Sequence, residues 1–354
     1  MLLLGVSIAA CGARLDSGSA ATPAATTDPP TASPAPTPSA SPSPSTAPFP
    51  DLRFIVGTPS GDIYFALSGG APAGPKVHVC DSAITALATY ARQAAVACND
   101  GLFLWDEASG AVTRIATGES RLAAFDGLGS LAYVTIGAEV PTAPISMTKL
   151  LLRDLRTGAT ATIDERFGVA FDLRMTGEGI AVWRPKNSLS FVRPDAEAGT
   201  WIIRGTTLVK LSDHRLVAGE KGRDLLESEP GPNSSGATYV VSKTNTETRL
   251  TPAGVTNERA LALTSDGRIV AWRPMTDEFH GAVVIYRGTS VERTDAGRFS
   301  AFNAMTDGDW IVGLEYSGPP SLTLHAYRIA DGAFASVTAS GVSAIALLGP
   351  KKTP

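Results

Sequence analysis

Residues 260–272, Ala-Leu-Ala-Leu-Thr-Ser-Asp-Gly-Arg-Ile-Val-Ala-Trp, place a small polar turn between two apolar segments. The same order occurs at 302–314 and, more loosely, at 171–183. Short apolar segments joined by Asp-Gly or a similar pair are typical of β-hairpins. These three stretches therefore predict one hairpin that recurs along the chain.

A second hairpin carries Asp and a Ser/Thr-Gly pair in its turn, at 104–110 and 152–158 and loosely at 328–332. The aspartate can accept hydrogen bonds from the turn backbone, and glycine can adopt the positive φ that closes the turn. The residues that follow, such as 111–115, alternate apolar and polar, which favours a half-buried strand. The two hairpins together predict a four-stranded unit.

The repeat length identifies the architecture. We place the second strands of successive units at Ile55, Val96, Ala132, Ala181, Val217, Val270 and Ile311. Their mean spacing of about 43 residues is typical of four-stranded propeller blades. We therefore predict an all-β fold over residues 51–350, a single β-propeller of about seven blades, with six or eight blades as alternatives.

The two ends of this region predict how the ring closes. Residues 342–348 resemble an innermost strand without a second strand after it, whereas 53–57 resemble a second strand without an innermost one before it. Pairing them would complete one blade and remove the exposed sheet edges of an open array.

These double hairpins resemble the TolB-type and WD-repeat propellers of bacterial envelope proteins over most of residues 52–350. The resemblance implies the propeller fold and a habit of binding other macromolecules. It carries over no catalytic residues.

The N-terminus has the features of an export signal. The apolar run Leu2–Ala10 is too short to span a bilayer and is followed by Cys11. Ile8-Ala9-Ala10-Cys11 resembles the bacterial lipobox, which implies lipidation of Cys11 and membrane anchoring on the outer side of a bacterial membrane. No Lys or Arg precedes the run, which departs from that pattern. An ordinary cleaved signal with an incidental cysteine is the alternative.

Residues 12–50 form a second segment, rich in Ala, Pro, Ser and Thr. Such a composition buries too little apolar surface to fold, and its prolines favour extended chain. Fully extended at about 3.1 Å per residue, the segment would reach on the order of 100 Å. We predict a disordered tether after a signal peptide at 1–11, with a tail without a spacing role as the alternative.

Composition and motifs limit the possible functions. The net charge is -4 with scattered basic residues, so nucleic acid is not an expected partner. The chain contains neither a Gly-x-Ser-x-Gly nucleophile turn nor a phosphate-binding loop, and its histidines lack zinc-site spacing. We expect no metal, cofactor or catalytic residue, and we predict that His78 and His325 pack within strands.

A candidate binding face follows from the lengths of the connections. With strands a to d labelled from the axis outward, a–b turns lie on one face, and the longer b–c connections lie on the other. Long loops are more often functional. The predicted binding residues are Arg184, Lys186, Glu220, Lys221, Arg223, Arg273, Asp277, Glu278, His280 and Tyr316. Solvated loops without individual roles are the alternative.

Cys80 and Cys98 fall at the same rim of adjacent predicted blades. In an oxidising compartment they could form a disulfide that closes a loop of about 18 residues.

The leading functional prediction is a membrane-anchored binding or scaffolding protein for a protein or envelope polysaccharide. The alternatives are a propeller enzyme, a glycosidase or lyase with its polar residues in the axial channel, and the ligand-sensing half of a membrane complex.

Overall fold

The structure is a computed structural model. It describes residues 52–66, 74–139, 146–167, 172–176, 179–184, 198–220, 223–227, 230–231, 234–242, 246–264, 266–274, 281–299, 305–307, 310–318 and 321–347. All of them belong to one compact unit, Pro44–Pro354. The predicted signal peptide, Cys11 and the tether lie outside the described residues.

The described residues form strands joined by turns. The strands are β1 (Phe54–Gly57), β2 (Asp62–Ala66), β3 (Val77–His78), β4 (Ile84–Tyr90), β5 (Gln93–Cys98), β6 (Gly101–Asp106), β7 (Val112–Thr117), β8 (Ser120–Phe125), β9 (Ser130–Glu139), β10 (Ser146–Asp154), β11 (Thr160–Phe167), β12 (Asp172–Thr176), β13 (Gly179–Arg184), β14 (Gly199–Arg204), β15 (Thr207–Ser212), β16 (Arg215–Glu220), β17 (Arg223–Glu227), β18 (Pro230–Gly231), β19 (Ser234–Ser235), β20 (Thr238–Ser242), β21 (Glu247–Arg249), β22 (Arg259–Leu263), β23 (Arg268–Pro274), β24 (Gly281–Arg287), β25 (Ser290–Phe299), β26 (Met305–Asp307), β27 (Trp310–Gly318), β28 (Ser321–Arg328), β29 (Phe334–Ser340) and β30 (Ala344–Leu347). No helix long and apolar enough to cross a bilayer occurs in this part of the chain.

These strands form seven four-stranded antiparallel sheets, which are the blades. The closing blade has the order β30-β1-β2-β3. The second, third and fourth blades are β4–β7, β8–β11 and β12–β15, and the fifth is β16-β17-β20-β21 with the small β18-β19 hairpin between its second and third strands. The sixth and seventh blades are β22–β25 and β26–β29.

The blades are arranged in a closed ring. The innermost strand of each blade contacts that of the next blade, from β4 through β8, β12, β16, β22 and β26 to β30, which contacts β4. Each neighbouring pair of blades also shares one apolar cluster of buried residues. Burial of apolar surface between twisted sheets stabilises this arrangement. The predicted seven-bladed propeller is confirmed.

The closing blade joins the two ends of the ring as the sequence predicted. In an antiparallel ladder, β1 pairs with β30, with Phe54 opposite Leu347 and Gly57 opposite Ala344. Thr89 on β4 donates a hydrogen bond from its hydroxyl to the Leu347 carbonyl at 2.8 Å, which ties the next blade to this junction.

One second strand was assigned wrongly. Val217 lies in β16, the innermost strand of the fifth blade, and the second strand is β17. The apolar part of β17 is only Leu225-Leu226, flanked by charged residues, so the sequence pattern resembled a loop. The predicted b–c connection from Glu220 to Gly236 therefore contains an a–b turn, a second strand and the start of the true b–c connection.

Candidate functional site

The innermost strands of a propeller run in one direction, so their first residues meet at one end of the axis. We call this end, where the b–c and d–a connections lie, the b–c face, and the opposite end the a–b face. On the b–c face, β12 begins with Asp172 and carries Arg174 two positions on, and β16 begins with Arg215. Alternate residues of a strand share one side, so Asp172 and Arg174 project together.

These residues form a compact group that we call the Arg–Asp–Arg cluster: Asp172, Arg174 and Arg215. Arg215 donates to Asp172 Oδ2 from Nη2 at 2.7 Å and from Nε at 3.1 Å. Arg174 Nε donates to the same oxygen at 3.1 Å, and its Nη1 donates to the Val217 carbonyl at 3.0 Å. The cluster thus joins the fourth and fifth blades, and all three side chains keep part of their surface in solvent.

The cluster carries two positive charges and one negative charge. Burial raises the pKa of Asp172, but the nearby Arg174 and Arg215 guanidiniums outweigh burial and lower the net pKa below the ordinary aspartate value. The carboxylate is therefore ionised at neutral pH, and the stabilisation from the ion pairs is lost as the pH falls through the lowered pKa. Taken together, the three side chains carry one net positive charge.

A crevice and two further arginines lie near the cluster. Ala181, Trp183, Thr200 and Leu216 line a narrow crevice beside Asp172 and Arg174. Arg121 and Arg259 lie at the starts of β8 and β22, at the same level on other innermost strands. The Arg121 side chain is largely exposed and pairs with Glu119 at 2.7 Å. Arginine therefore occurs near the start of four innermost strands at this end of the axis.

Two predicted binding residues lie outside this cluster and are bonded to a neighbouring blade or to the connection before their own blade. Arg184 is buried, pairs with Asp164 on the outer strand of the third blade and lies over the Trp201 ring at 4.9 Å. Arg273 donates from Nη2 to Glu258 Oε2 at 2.8 Å, and Glu258 lies between the fifth and sixth blades. Arg184 is the last residue of β13 and Arg273 is the next-to-last of β23, and both guanidiniums are bonded to carboxylates of the ring.

The remaining predicted residues do not share one face. Arg223 begins β17 and donates from Nη1 to the Gly267 carbonyl in the next a–b turn at 3.2 Å, so it and Glu220 lie on the a–b face. Glu220 and Arg223 had been predicted on the b–c face. That prediction was wrong, because β17 was not recognised as the second strand of the fifth blade. Tyr316 lies in β27. Lys186, Lys221, Asp277, Glu278 and His280 lie outside the described residues.

The predictions for the two cysteines and for His325 agree with the structure, and the prediction for His78 does not. Cys80 and Cys98 form a disulfide, with 6.7 Å between their Cα atoms. Asp100 lies close to both sulfurs, but sulfurs joined to each other do not present thiolates to a metal. His325 is buried and stacks on Phe334, whereas the prediction for His78 was wrong: it is exposed and contacts Asp62 at 2.9 Å, since β3 is a short outer strand.

The comparisons with known proteins support the fold. No protein-family model and no curated protein matches the chain. Solved structures do match. The computationally designed Ika8 protein is 13% identical, with a TM-score of 0.54 over 84% of this chain and 87% of that one. A structure from a study of two prolyl endopeptidases is 13% identical, with a TM-score of 0.52 over 85% of this chain and 51% of that one.

TolB from Acinetobacter baumannii is 15% identical, with a TM-score of 0.47 over 84% of this chain and 67% of that one. At 13% identity, the similarities to the Ika8 protein and to the prolyl endopeptidase show the fold alone. The chain spans about half the length of the prolyl endopeptidase that it matches.

Proposed function

We propose that this chain is an exported, lipid-anchored binding protein, and that the axial mouth on its b–c face holds an anionic group of a protein or polysaccharide of the cell envelope. The observation that carries the proposal is the Arg–Asp–Arg cluster, in which two guanidiniums share one carboxylate. Guanidinium groups bind carboxylate and phosphate oxygens in a forked geometry. A carboxylate or phosphate of a ligand is therefore the chemical group that suits this pair of guanidiniums.

The chemistry of this cluster favours binding over catalysis. Arginine stays protonated near neutral pH, and Asp172, with its lowered pKa, is a poor proton donor. A glycosidase requires a carboxylic acid whose pKa is raised, which is the opposite environment. A group of close charged side chains at the channel mouth is also what a propeller enzyme would need. Asp172, Arg174 and Arg215, however, include a single carboxylate and so cannot supply both a general acid and a general base.

Charge variants of the cluster test the ligand proposal. We expect Arg174→Gln or Arg215→Gln to weaken ligand binding about tenfold, because each removes a charge-assisted hydrogen bond. We expect Asp172→Asn to strengthen binding, because it removes the competing carboxylate. The measurement is photo-crosslinking in intact cells, with the photoreactive residue placed at Arg121. Arg114→Gln, an exposed arginine on the outer strand β7, is the matched control and should leave the adduct yield unchanged.

Ligand contacts on the a–b face would contradict the proposal. Photoreactive residues at Asp106, Asp154 and Asp266 probe the turns of the a–b face. Adducts confined to these positions, or adduct yields that fall with Asp172→Asn, would overturn binding at the axial mouth.

Membrane anchoring is tested through Cys11. We expect the wild-type chain to incorporate a labelled fatty acid and to sediment with membranes, and we expect Cys11→Ser to abolish the label and release the protein into the soluble extracytoplasmic fraction. A single acyl chain binds membranes only marginally, so the full lipobox modification matters. Equal labelling of Cys98→Ser and the wild type is the control. Unlabelled wild-type protein would refute the anchor.

A further inference from the structure

Three exposed apolar side chains lie around one turn on the a–b face. Leu128, in the turn between β8 and β9, is 91% exposed, and Tyr90 and Met175, at the ends of β4 and β12, are 39% and 49% exposed. They flank one turn: a Cβ at Gly127 would lie 3.4 Å from the Tyr90 ring and 3.6 Å from Met175 Sδ. The Tyr90 hydroxyl donates to the Gly127 carbonyl at 2.7 Å. We call Tyr90, Leu128 and Met175 the apolar patch.

The arrangement of this patch sets it apart from the other exposed apolar residues in the described part of the chain. Val112, Val209 and Val291 are also large and exposed, but they lie singly on the outer strands of three different blades. Scattered exposed valines are normal on a soluble protein. Three exposed apolar side chains from consecutive blades around a single turn are instead typical of a surface that binds an apolar partner.

The path of the chain indicates what the patch contacts. The second strand β1 starts on the a–b face, so the chain enters the ring at Leu52 on that face. The innermost strand β30 ends on the same face at Leu347, whose carbonyl accepts the hydrogen bond from Thr89, next to Tyr90. The first 51 residues of the sequence, with Cys11 among them, therefore join the ring on the face that carries the patch.

The charges around the patch are compatible with a lipid headgroup region. Arg92 is largely exposed two residues after Tyr90, and Arg156 follows Leu155, whose N–H donates to the Gly129 carbonyl at 2.9 Å. The nearest carboxylates are engaged: Asp126 accepts the N–H groups of Leu128 and Ser130. Glu107 pairs with Arg53 at 2.8 Å and with Arg92 Nε at 3.6 Å, so it offsets one of these arginine charges. Tyrosine and arginine around an inserted leucine are suited to a membrane interface.

We propose that the a–b face rests on the membrane surface, with Leu128 inserted among the lipid headgroups and Tyr90 and Met175 beside it. This inference rests on the proposed membrane anchoring. It directs the b–c face, with the Arg–Asp–Arg cluster, away from the bilayer.

Vesicle binding by the full chain tests the inference. The protein carries Cys11→Ser, so that no lipid chain contributes, and the vesicles are made of phosphatidylcholine with or without phosphatidylglycerol. We expect sedimentation with both, more with phosphatidylglycerol because of Arg92 and Arg156. We expect Leu128→Asp to weaken binding tenfold or more, about the effect of losing one buried leucine. Val209→Asp, at another exposed apolar position, should have no effect.

The outcomes separate this inference from the proposed function. Because the tested protein cannot be lipidated, failure of the Cys11 experiment leaves the vesicle result unaffected. Equal vesicle binding by Leu128→Asp and Val209→Asp, or no vesicle binding by the parent protein, would overturn the inference. An effect of Leu128→Asp on native membranes that disappears after protease treatment would also overturn it and assign the patch to a protein partner.

Discussion

A chain that ends at Ser343, and so lacks β30, is expected to lose cooperative folding. β30 pairs with β1 along its whole length and contacts the innermost strands of both neighbouring blades. Its Ile345 and Leu347 pack against the cluster shared with the seventh blade. Their burial and the lost ladder hydrogen bonds amount to about 5 kcal/mol or more, which is comparable to the whole stability of many domains. Thermal unfolding followed by circular dichroism measures the effect.

The matched control for this truncation is a chain that ends at Leu347, which keeps all of β30. We expect it to unfold at the same temperature as the full chain. An unchanged, cooperative transition in the chain that ends at Ser343 would show that the ring does not depend on closure by β30.

The second large effect is expected at Glu258, which is 1% exposed. Its carboxylate accepts hydrogen bonds from Thr251 Oγ1 at 2.7 Å, the Tyr286 hydroxyl at 2.9 Å and Arg273 Nη2 at 2.8 Å. Burial, and then the adjacent Glu258 charge, raise the pKa of Tyr286, so the hydroxyl keeps its proton as a donor. Glu258→Ala would remove the acceptor of the Thr251 and Tyr286 hydroxyls and of the partly exposed Arg273 guanidinium, and would cost about 3–5 kcal/mol.

For a ring of this size we expect Glu258→Ala to lower the unfolding temperature by about 6–10 °C, at roughly 2 °C per kcal/mol. Glu258→Gln keeps the volume and one acceptor oxygen and should cost less. Glu107→Ala, which removes a partly exposed partner of Arg53, should cost under about 1 kcal/mol. Equal effects of Glu258→Ala and Glu107→Ala would contradict the structural role assigned to Glu258.

The turns show how much of the fold the sequence predicts. Gly110, Gly158 and Gly332 all have positive φ. Before them, Asp106 and Asp154 accept N–H groups from Ser109 and Thr157, each at 2.9 Å. Both features follow from local chemistry, which is why the recurring hairpins identified the blades. β17 was not predicted from the sequence, because two leucines between charged residues form a strand only through pairing with β16 and β20.

The candidate site was less predictable, since it depends on contacts between blades. Asp172 and Arg215 are 43 residues apart, one blade apart in the ring. The alternation Asp172-Leu173-Arg174 at the start of β12 was the available signal, since charged side chains that share one side of an inner strand project together. Loop length pointed instead to Arg184 and Arg273, whose carboxylate partners come from outside their own loops.

Amide hydrogen exchange in the full chain measures ring closure most directly. If β1 and β30 pair as the ladder from Phe54 to Gly57 indicates, their amides should exchange as slowly as those of β23 and β24 inside the sixth blade. Fast exchange along either β1 or β30, at the rate of an unpaired sheet edge, would contradict a closed propeller and the two faces defined from it.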